Sequence, residues 1–395
     1  MMKITIISEY YYPSDNSTSY YITEISRALS SVESVTVLCN TELGNKPEVD
    51  FFENEVIRLR AGKFNKNSLI SRLTYFTLAT LGLSWKLFTC VDRGSRVFAV
   101  TNPAFLILFL ALMKKIKQFN FTLLAYDIFP ENAFAAGIFK KKGLVYNLAK
   151  RVFDWAYRQA DHVVVIGRDM EQVIGEKTHY SVPMTLITNW CDTERVQALP
   201  KEENELVRRF GLQGKIVFSF VGNLGRVQGI QNLLDAASLV KNHDFVLLFI
   251  GDGAMRPIIE EHICCNPSGN VMYGGSFPAS EENIFLNACD IALISLSPAM
   301  YGLGVPSKSY HNMAAGKPIL LVGEQGSEIG RVINEHDIGW VTEPNNAPML
   351  ATLFEKICVD KTLKDKGGKS RRTVEDLYSK EVVLTKYKKL YENLK

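Results

Sequence analysis

Two loops in the second half of the chain carry residue types suited to holding a phosphate. The first is Val221-Gly222-Asn223-Leu224-Gly225-Arg226-Val227-Gln228-Gly229-Ile230, followed by a helical run from Gln231 to Val240. Glycines at a strand-to-helix junction let the backbone approach a ligand and expose amide donors near a helix start. Arg226 adds a fork-shaped cation that matches phosphate oxygens. The glycine spacing does not fit G-x-G-x-x-G, so this is not the dinucleotide fingerprint. A glycine-rich turn without a ligand would read the same way. The second loop, Tyr301-Gly302-Leu303-Gly304-Val305-Pro306-Ser307-Lys308, leads into Ser309-Tyr310-His311-Asn312-Met313-Ala314-Ala315-Gly316. Proline suits the opening turn of a helix, and Ser307 and Lys308 then place a hydroxyl and an ammonium where amides and the helix dipole also attract anions. Ordinary capping with a solvated lysine is the plainer alternative. Asp252 and Gly253, in Gly251-Asp252-Gly253, and Phe277, in Gly274-Gly275-Ser276-Phe277-Pro278, lie in shorter turns that can meet a base or ribose through the backbone.

The first half offers carboxylates. In Ala125-Tyr126-Asp127-Ile128-Phe129-Pro130-Glu131-Asn132, Asp127 and Glu131 follow an apolar stretch. Either can accept the proton of an acceptor hydroxyl or hold that hydroxyl in line. Equally, Asp127 can bond backbone amides in its turn, and Glu131 can cap the helix after it. Upstream, Tyr10-Tyr11-Tyr12-Pro13-Ser14-Asp15-Asn16-Ser17-Thr18 joins the first strand to a helix, with Pro13 and Ser17 in a loop that a plain hydrogen-bonded turn also explains.

These loops need a scaffold, and the chain supplies one. Apolar strands alternate with helical patterns, as in parallel α/β sheets. In the first half strands are expected at Lys3–Ser8, Val35–Cys39, Ser95–Thr101, Phe121–Tyr126, His162–Ile166 and Met184–Thr188. In the second they are expected at Ile216–Val221, Phe245–Ile250, Val271–Tyr273, Ile291–Ser295, Pro318–Val322 and Trp340–Thr342. With 395 residues, two domains are expected. They are expected over 1–198 and over 199–379, the second carrying both phosphate-suited loops, with a helix at 380–395 expected to pack back on the first. Two doubly wound sheets would turn the carboxyl ends of their strands toward a shared central cleft.

Composition narrows the function. Forty-five basic residues against 42 acidic ones give a net charge of +3, which does not suggest a nucleic-acid partner. Seven cysteines without framework spacing fit free thiols in a reducing compartment, and no zinc pattern is visible. The N-terminal apolar run is too short for a signal peptide. A cytoplasmic location is therefore expected. The basic and aromatic stretch from Lys63 to Phe88, with Lys140-Lys141-Lys142, can rest on the inner face of an anionic membrane or be half-buried in the domain core.

At its phosphate-suited loops the chain resembles glycosyltransferase family 4, of the GT-B fold. It is most similar to the bacterial branch that builds O-antigen, capsule and colanic-acid-type polysaccharides, where G-N-x-G-x-x-Q-G and P-S-K are usual. The D-x-x-P-E segment at Asp127–Glu131 resembles that branch too, and the loop after the first strand resembles the family's glycine-rich loop by its placement, which implies that Pro13 and Ser17 lie on the acceptor side. The resemblance implies a retaining glycosyltransferase that needs no bound metal. Its donor would be a nucleotide-diphosphate sugar, such as a UDP-linked N-acetylated 6-deoxyhexose, and its acceptor a saccharide on undecaprenyl diphosphate. By the same resemblance, Gly222, Asn223, Gly225, Arg226, Gln228, Leu303, Gly304, Ser307, Lys308 and His311 fall at donor-binding positions. Departures are visible. The wider family carries Arg and Lys at the positions of Asn223 and Gln228, and glutamates at those of Leu303 and His311. The second of these glutamates usually holds the donor ribose. Two other functions share this architecture: a UDP-sugar 2-epimerase and a nucleotide-sugar-binding protein without catalysis.

Overall fold

A computed structural model describes residues 3–14, 16–41, 47–50, 54–60, 69–138, 143–266 and 269–394, and the statements below concern these. Lys140 to Lys142 and residues 63–68 lie outside them. Each of the twelve expected apolar runs forms a strand, and the central ones of each sheet are buried on both faces, as parallel strands are.

Two compact units result. Thr188 is the last residue of the first before the chain enters the second at Asn189, and the first also includes Gly302–Gly304 and Val383–Lys395. The division thus falls ten residues ahead of the expected one, because the segment after Thr188 packs with the second unit.

In the first unit the strands are β1 (Lys3–Ile7), β2 (Ser34–Thr41), β3 (Pro47–Val49), β4 (Glu55–Arg60), β5 (Arg96–Val100), β6 (Asn120–Ala125), β7 (His162–Val165) and β8 (Met184–Leu186). Their order among the described residues is β3-β4-β2-β1-β5-β6-β7-β8. All pairs are parallel except β3 on β4. Neither β3 nor β4 is among the expected strands. In β4, Glu55, Arg58 and Arg60 interrupt the apolar run, as near a sheet edge. The order reverses direction between β1 and β5. The helix Lys380–Asn393 buries Tyr387 and Tyr391 against Phe98 of β5, with ring centroids 6.3 and 6.0 Å apart. Arg96 anchors its end by donating to the Leu394 carbonyl, while pairing with Glu33 at 2.8 Å.

The second unit contains β9 (Ile216–Val221), β10 (Phe245–Ile250), β11 (Val271–Gly275), β12 (Ile291–Ser295), β13 (Ile319–Val322) and β14 (Gly339–Thr342), all parallel. Their order is β11-β10-β9-β12-β13-β14, and the reversal lies between β9 and β12. Phe218, Phe245 and Phe354 form an aromatic cluster under this sheet, with centroids 4.9 to 5.3 Å apart.

Candidate functional site

Ligands of open α/β sheets bind outside the carboxyl ends of the strands where strand order reverses. In the second unit that point is the end of β9 beside the end of β12, and the glycine loop begins there. Gly222 has φ +115° and Gly251, after β10, has φ +133°. A Cβ on Gly251 would stand 1.9 Å from the Gly222 carbonyl oxygen, and one on Gly253 would stand 2.5 Å from that of Leu224. Backbone meets backbone: Gly222 N donates to Ile250 O at 2.8 Å, and Leu224 N to Asp252 O at 2.9 Å. These glycines hold two loops together at the strand ends. Beyond them, Arg226–Gln228 forms a short turn of 3-10 helix, Gly229 takes φ +60°, and the helix Ile230–Leu239 begins.

Lys308 opens the helix Lys308–Ala314, next after Ser307. Its ammonium is buried without a hydrogen-bond partner and lies 3.7 Å from the centroid of the Phe220 ring. Burial pushes it down to about 7 from the ordinary lysine value. A Cβ on Gly222 would lie 4.0 Å from this nitrogen, so the glycine loop leaves room beside it. Gln228 Oε1, Ser295 Oγ and Ser309 Oγ are likewise buried without partners. A buried ammonium without an acceptor is an arrangement completed by an anionic ligand. Asn223 and Arg226 are exposed at the edge of the loop.

The other expected donor contacts are distributed differently. Asp252 is exposed, accepts from Gly253 N at 2.8 Å and faces Arg256 at 3.8 Å. Phe277 is half-buried beside Phe285. Leu303 and Gly304 group with the first unit, and Leu303 is buried. His311 donates from Nδ1 to Glu282 Oε1 at 2.5 Å, and Glu282 also pairs with Arg195 at 2.8 Å. Burial pulls the imidazole down, but its hydrogen bonds to Cys191 and Glu282 outweigh this and push it up to about 10. His311 is thus a cation committed to an acidic neighbour, chemically unlike the ribose-holding glutamate.

In the first unit the two expected carboxylates have separate fates. Asp127 follows β6; its backbone N–H donates to Thr101 Oγ1 at 3.1 Å, and its Oδ1 accepts from Asn132 Nδ2 at 2.6 Å. Burial raises it to about 6. Glu131 is bound up: both of its oxygens accept from Lys177 Nζ at 2.8 Å, and Lys150 lies at 3.2 Å. Asp154 closes this network on Lys177 at 2.6 Å. Pro13 and Ser17 are exposed, and Ser17 begins the helix Ser17–Ser30, capped by Asn16. Two groups escape the sequence reading. Lys177 has no motif to mark it. Glu9 carried a signal, a carboxylate ending an apolar strand; it is 1% exposed, and burial raises it to about 7 against a hydrogen bond with Tyr10.

Residues 202–374 match the model of the glycosyl transferases group 1 family. A Pseudomonas aeruginosa protein named "Probable glycosyltransferase WbjE" is 38% identical over 98% of this chain and 97% of its own length. The chain belongs to the group 1 glycosyltransferases. It is therefore a sugar-transferring enzyme, and its units are the paired α/β domains of the GT-B fold. Sucrose-phosphate synthase from Thermosynechococcus elongatus shares that fold, with TM-score 0.75 and 16% identity over 100% of this chain and 99% of that one. So does Anabaena HepE, solved in complex with UDP, with TM-score 0.72 and 13% identity over the whole of both chains. Membership in a transferase family supports the glycosyltransferase over the epimerase.

Proposed function

We propose that this glycosyltransferase moves a sugar from a UDP-sugar, with retention of configuration, to a lipid-linked saccharide in surface-polysaccharide assembly. The observation that carries the donor half is the buried Lys308 ammonium, without a hydrogen-bond partner, beside the glycine loop at the β9/β12 reversal. A diphosphate there is met by Lys308, by Arg226 at the loop edge and by loop amides, so the reading calls for no bound metal. HepE in complex with UDP supports uridine as the nucleoside. The resemblance to the polysaccharide branch favours an N-acetylated 6-deoxyhexose as the sugar and undecaprenyl diphosphate as the acceptor's carrier. In the transfer, the bond from the sugar's anomeric carbon to the β-phosphate oxygen breaks and a bond to the acceptor oxygen forms on the same face. The hydroxyl proton goes to the departing phosphate, and UDP leaves. Asp127, raised toward neutrality and held by Asn132, orients the hydroxyl on the acceptor side.

The lipid carrier finds support on the surface of the first unit. There the helix Leu106–Lys117 packs against both Leu69–Cys90 and Leu144–Tyr157. These helices leave Leu78, Leu81, Trp85, Leu112, Ile116, Leu144 and Leu148 exposed, with Lys114, Lys115 and Lys117 at the end of the middle one. Apolar side chains beside lysines suit an anionic membrane surface. No helix among the described residues is long and apolar enough to cross a membrane.

Calorimetry with UDP tests the donor assignment. Lys308→Ala is expected to weaken UDP by roughly tenfold or more, the worth of a charge-assisted hydrogen bond. Unchanged affinity sinks it.

A further inference from the structure

Two short helices of the second unit carry the donor loops. Lys308–Ala314 opens on the buried lysine, and Glu282–Leu286 follows the loop of Phe277 after one turn of 3-10 helix, Ala279–Glu281. Helices of one or two turns do not hold themselves in place, and Glu282–Leu286 fully buries only Leu286. Their positions depend on side chains that tie one to the other.

His311, one turn beyond Lys308, gives its Nδ1–H to Glu282 Oε1 at 2.5 Å, and it is also bonded to the Cys191 thiol. Glu282 in turn pairs with Arg195 at 2.8 Å. Three residues further along the same short helix, Phe285 lies against Phe277, with ring centroids 6.1 Å apart. A continuous chain of contacts thus runs from Lys308 through His311, Glu282 and Phe285 to Phe277. The segment 193–197 ties the two helices together a second time. Asn283 accepts from Gln197 N at 2.8 Å and donates to the Arg195 carbonyl at 2.9 Å. Arg371 donates to the carbonyls of Thr193 at 2.8 Å, of Val196 at 2.7 Å, and of Ala314 at the end of the lysine's helix. All of these residues belong to the second unit. Burial works against the Glu282 carboxylate, but the His311 hydrogen bond and charge hold it below the usual carboxylate range. The pair therefore stays ionised at neutral pH, where Lys308 titrates.

We propose that His311 and Glu282 are positioning residues that fix the separation between the Phe277 loop, which meets the base, and Lys308, which meets the diphosphate. This inference rests on the donor reading above. Neither residue touches the ligand. Their contribution is preorganisation: with both subsites held at one spacing, a nucleoside diphosphate that engages the first reaches the second without a further ordering cost. The ionic pair thus selects the joined ligand over its two halves.

The test uses the full chain and three ligands: UDP, uridine and inorganic pyrophosphate. Calorimetry reads UDP directly and the two fragments by competition with it. In His311→Ala, UDP is expected to bind roughly tenfold or more weakly, while uridine and pyrophosphate stay within about twofold of the parent. His311→Asn keeps an N–H where Nδ1 stands, and it is expected to return UDP affinity to within about threefold of the parent. Should His311→Ala fail to fold, Glu282→Gln carries the same comparison, and UDP alone among the three ligands should weaken. Unchanged UDP affinity in the folded variant overturns the proposal and leaves the donor reading standing. An equal loss of uridine or pyrophosphate also overturns it, since the residue would then touch that fragment or merely support the fold. So does a folded His311→Asn that binds UDP no better than His311→Ala. A parent chain that binds no UDP overturns the donor reading itself, and the proposal with it.

Discussion

The ammonium of Lys308 rests 3.7 Å from the centre of the Phe220 ring, with no hydrogen-bond acceptor in reach. The ring's π face offsets part of the desolvation, worth roughly 1–2 kcal/mol in a dry site. That is less than the cost of burying a cation, so the pair is stable only in readiness for an anion. This relationship makes proton and ligand binding at the site inseparable.

Binding of UDP should therefore take up a proton. Lys308 lies at about 7 in the folded chain, and a diphosphate selects its charged form. Above neutrality the free side chain is largely neutral, so affinity for UDP is expected to fall as pH rises. Calorimetry in paired buffers of different ionisation enthalpy reads the uptake directly. Near pH 8 it should approach one proton per UDP and vanish in Lys308→Met; no uptake in the parent chain refutes the coupling. The sign for stability is opposite. Between about 7 and the unfolded lysine value of about 10.4 the unfolded chain holds the extra proton, so ligand-free stability gains from this group as pH rises.

Gly251→Ala should damage both fold and donor binding. The new Cβ meets the Gly222 carbonyl oxygen at 1.9 Å, at a φ of +133° that L-residues avoid. Neither backbone can yield without pulling the loop off the strand ends. A loss of about 2–4 kcal/mol is expected in denaturant unfolding, with UDP affinity reduced in parallel. Gly211→Ala, also at positive φ but with open space around it, should cost only about 1 kcal/mol and spare UDP binding.

Asp127 and Glu131 should separate cleanly. Glu131→Gln leaves Lys177, whose side chain is 2% exposed, facing a neutral amide, and a broken buried pair costs about 3–5 kcal/mol, moderated here by Asp154. Its melting temperature should fall, with the remaining folded enzyme still binding UDP. Asp127→Asn should keep its melting temperature but lose turnover, roughly tenfold or more. Since Asp127 acts ionised and lies at about 6, activity of the parent chain should decline as pH falls through that value, and the decline should disappear in the variant. Equal losses of stability in both variants would deny Asp127 its separate role.

The apolar face of the first unit should bind membranes. Leu81→Glu with Trp85→Glu changes two exposed side chains of one helix and leaves the core untouched. Sedimentation with phosphatidylglycerol vesicles is expected to weaken by roughly tenfold, with UDP affinity unchanged. Equal sedimentation of parent and variant would remove this face from consideration.

Much of the scaffold was legible along the chain. Runs such as Ile216–Val221 and Phe245–Ile250 are apolar on both faces, and that composition is nearly sufficient for a buried parallel strand. β4 was not legible, because Glu55, Arg58 and Arg60 hide an edge-side strand behind charge. At the donor site, Gly222, Lys308 and Ser307 could be read because a strand–loop–helix junction is local, and local chemistry survives in sequence order. What the neighbours of a side chain are is not local. Only the tertiary structure decided that Glu131 is spent on Lys177, 46 residues away, that His311 is answered by Glu282, and that the Lys308 ammonium is buried without a hydrogen-bond partner. Whether a charge is structural or held open for a ligand depends on partners brought from distant strands, and burial sets the energy of the difference.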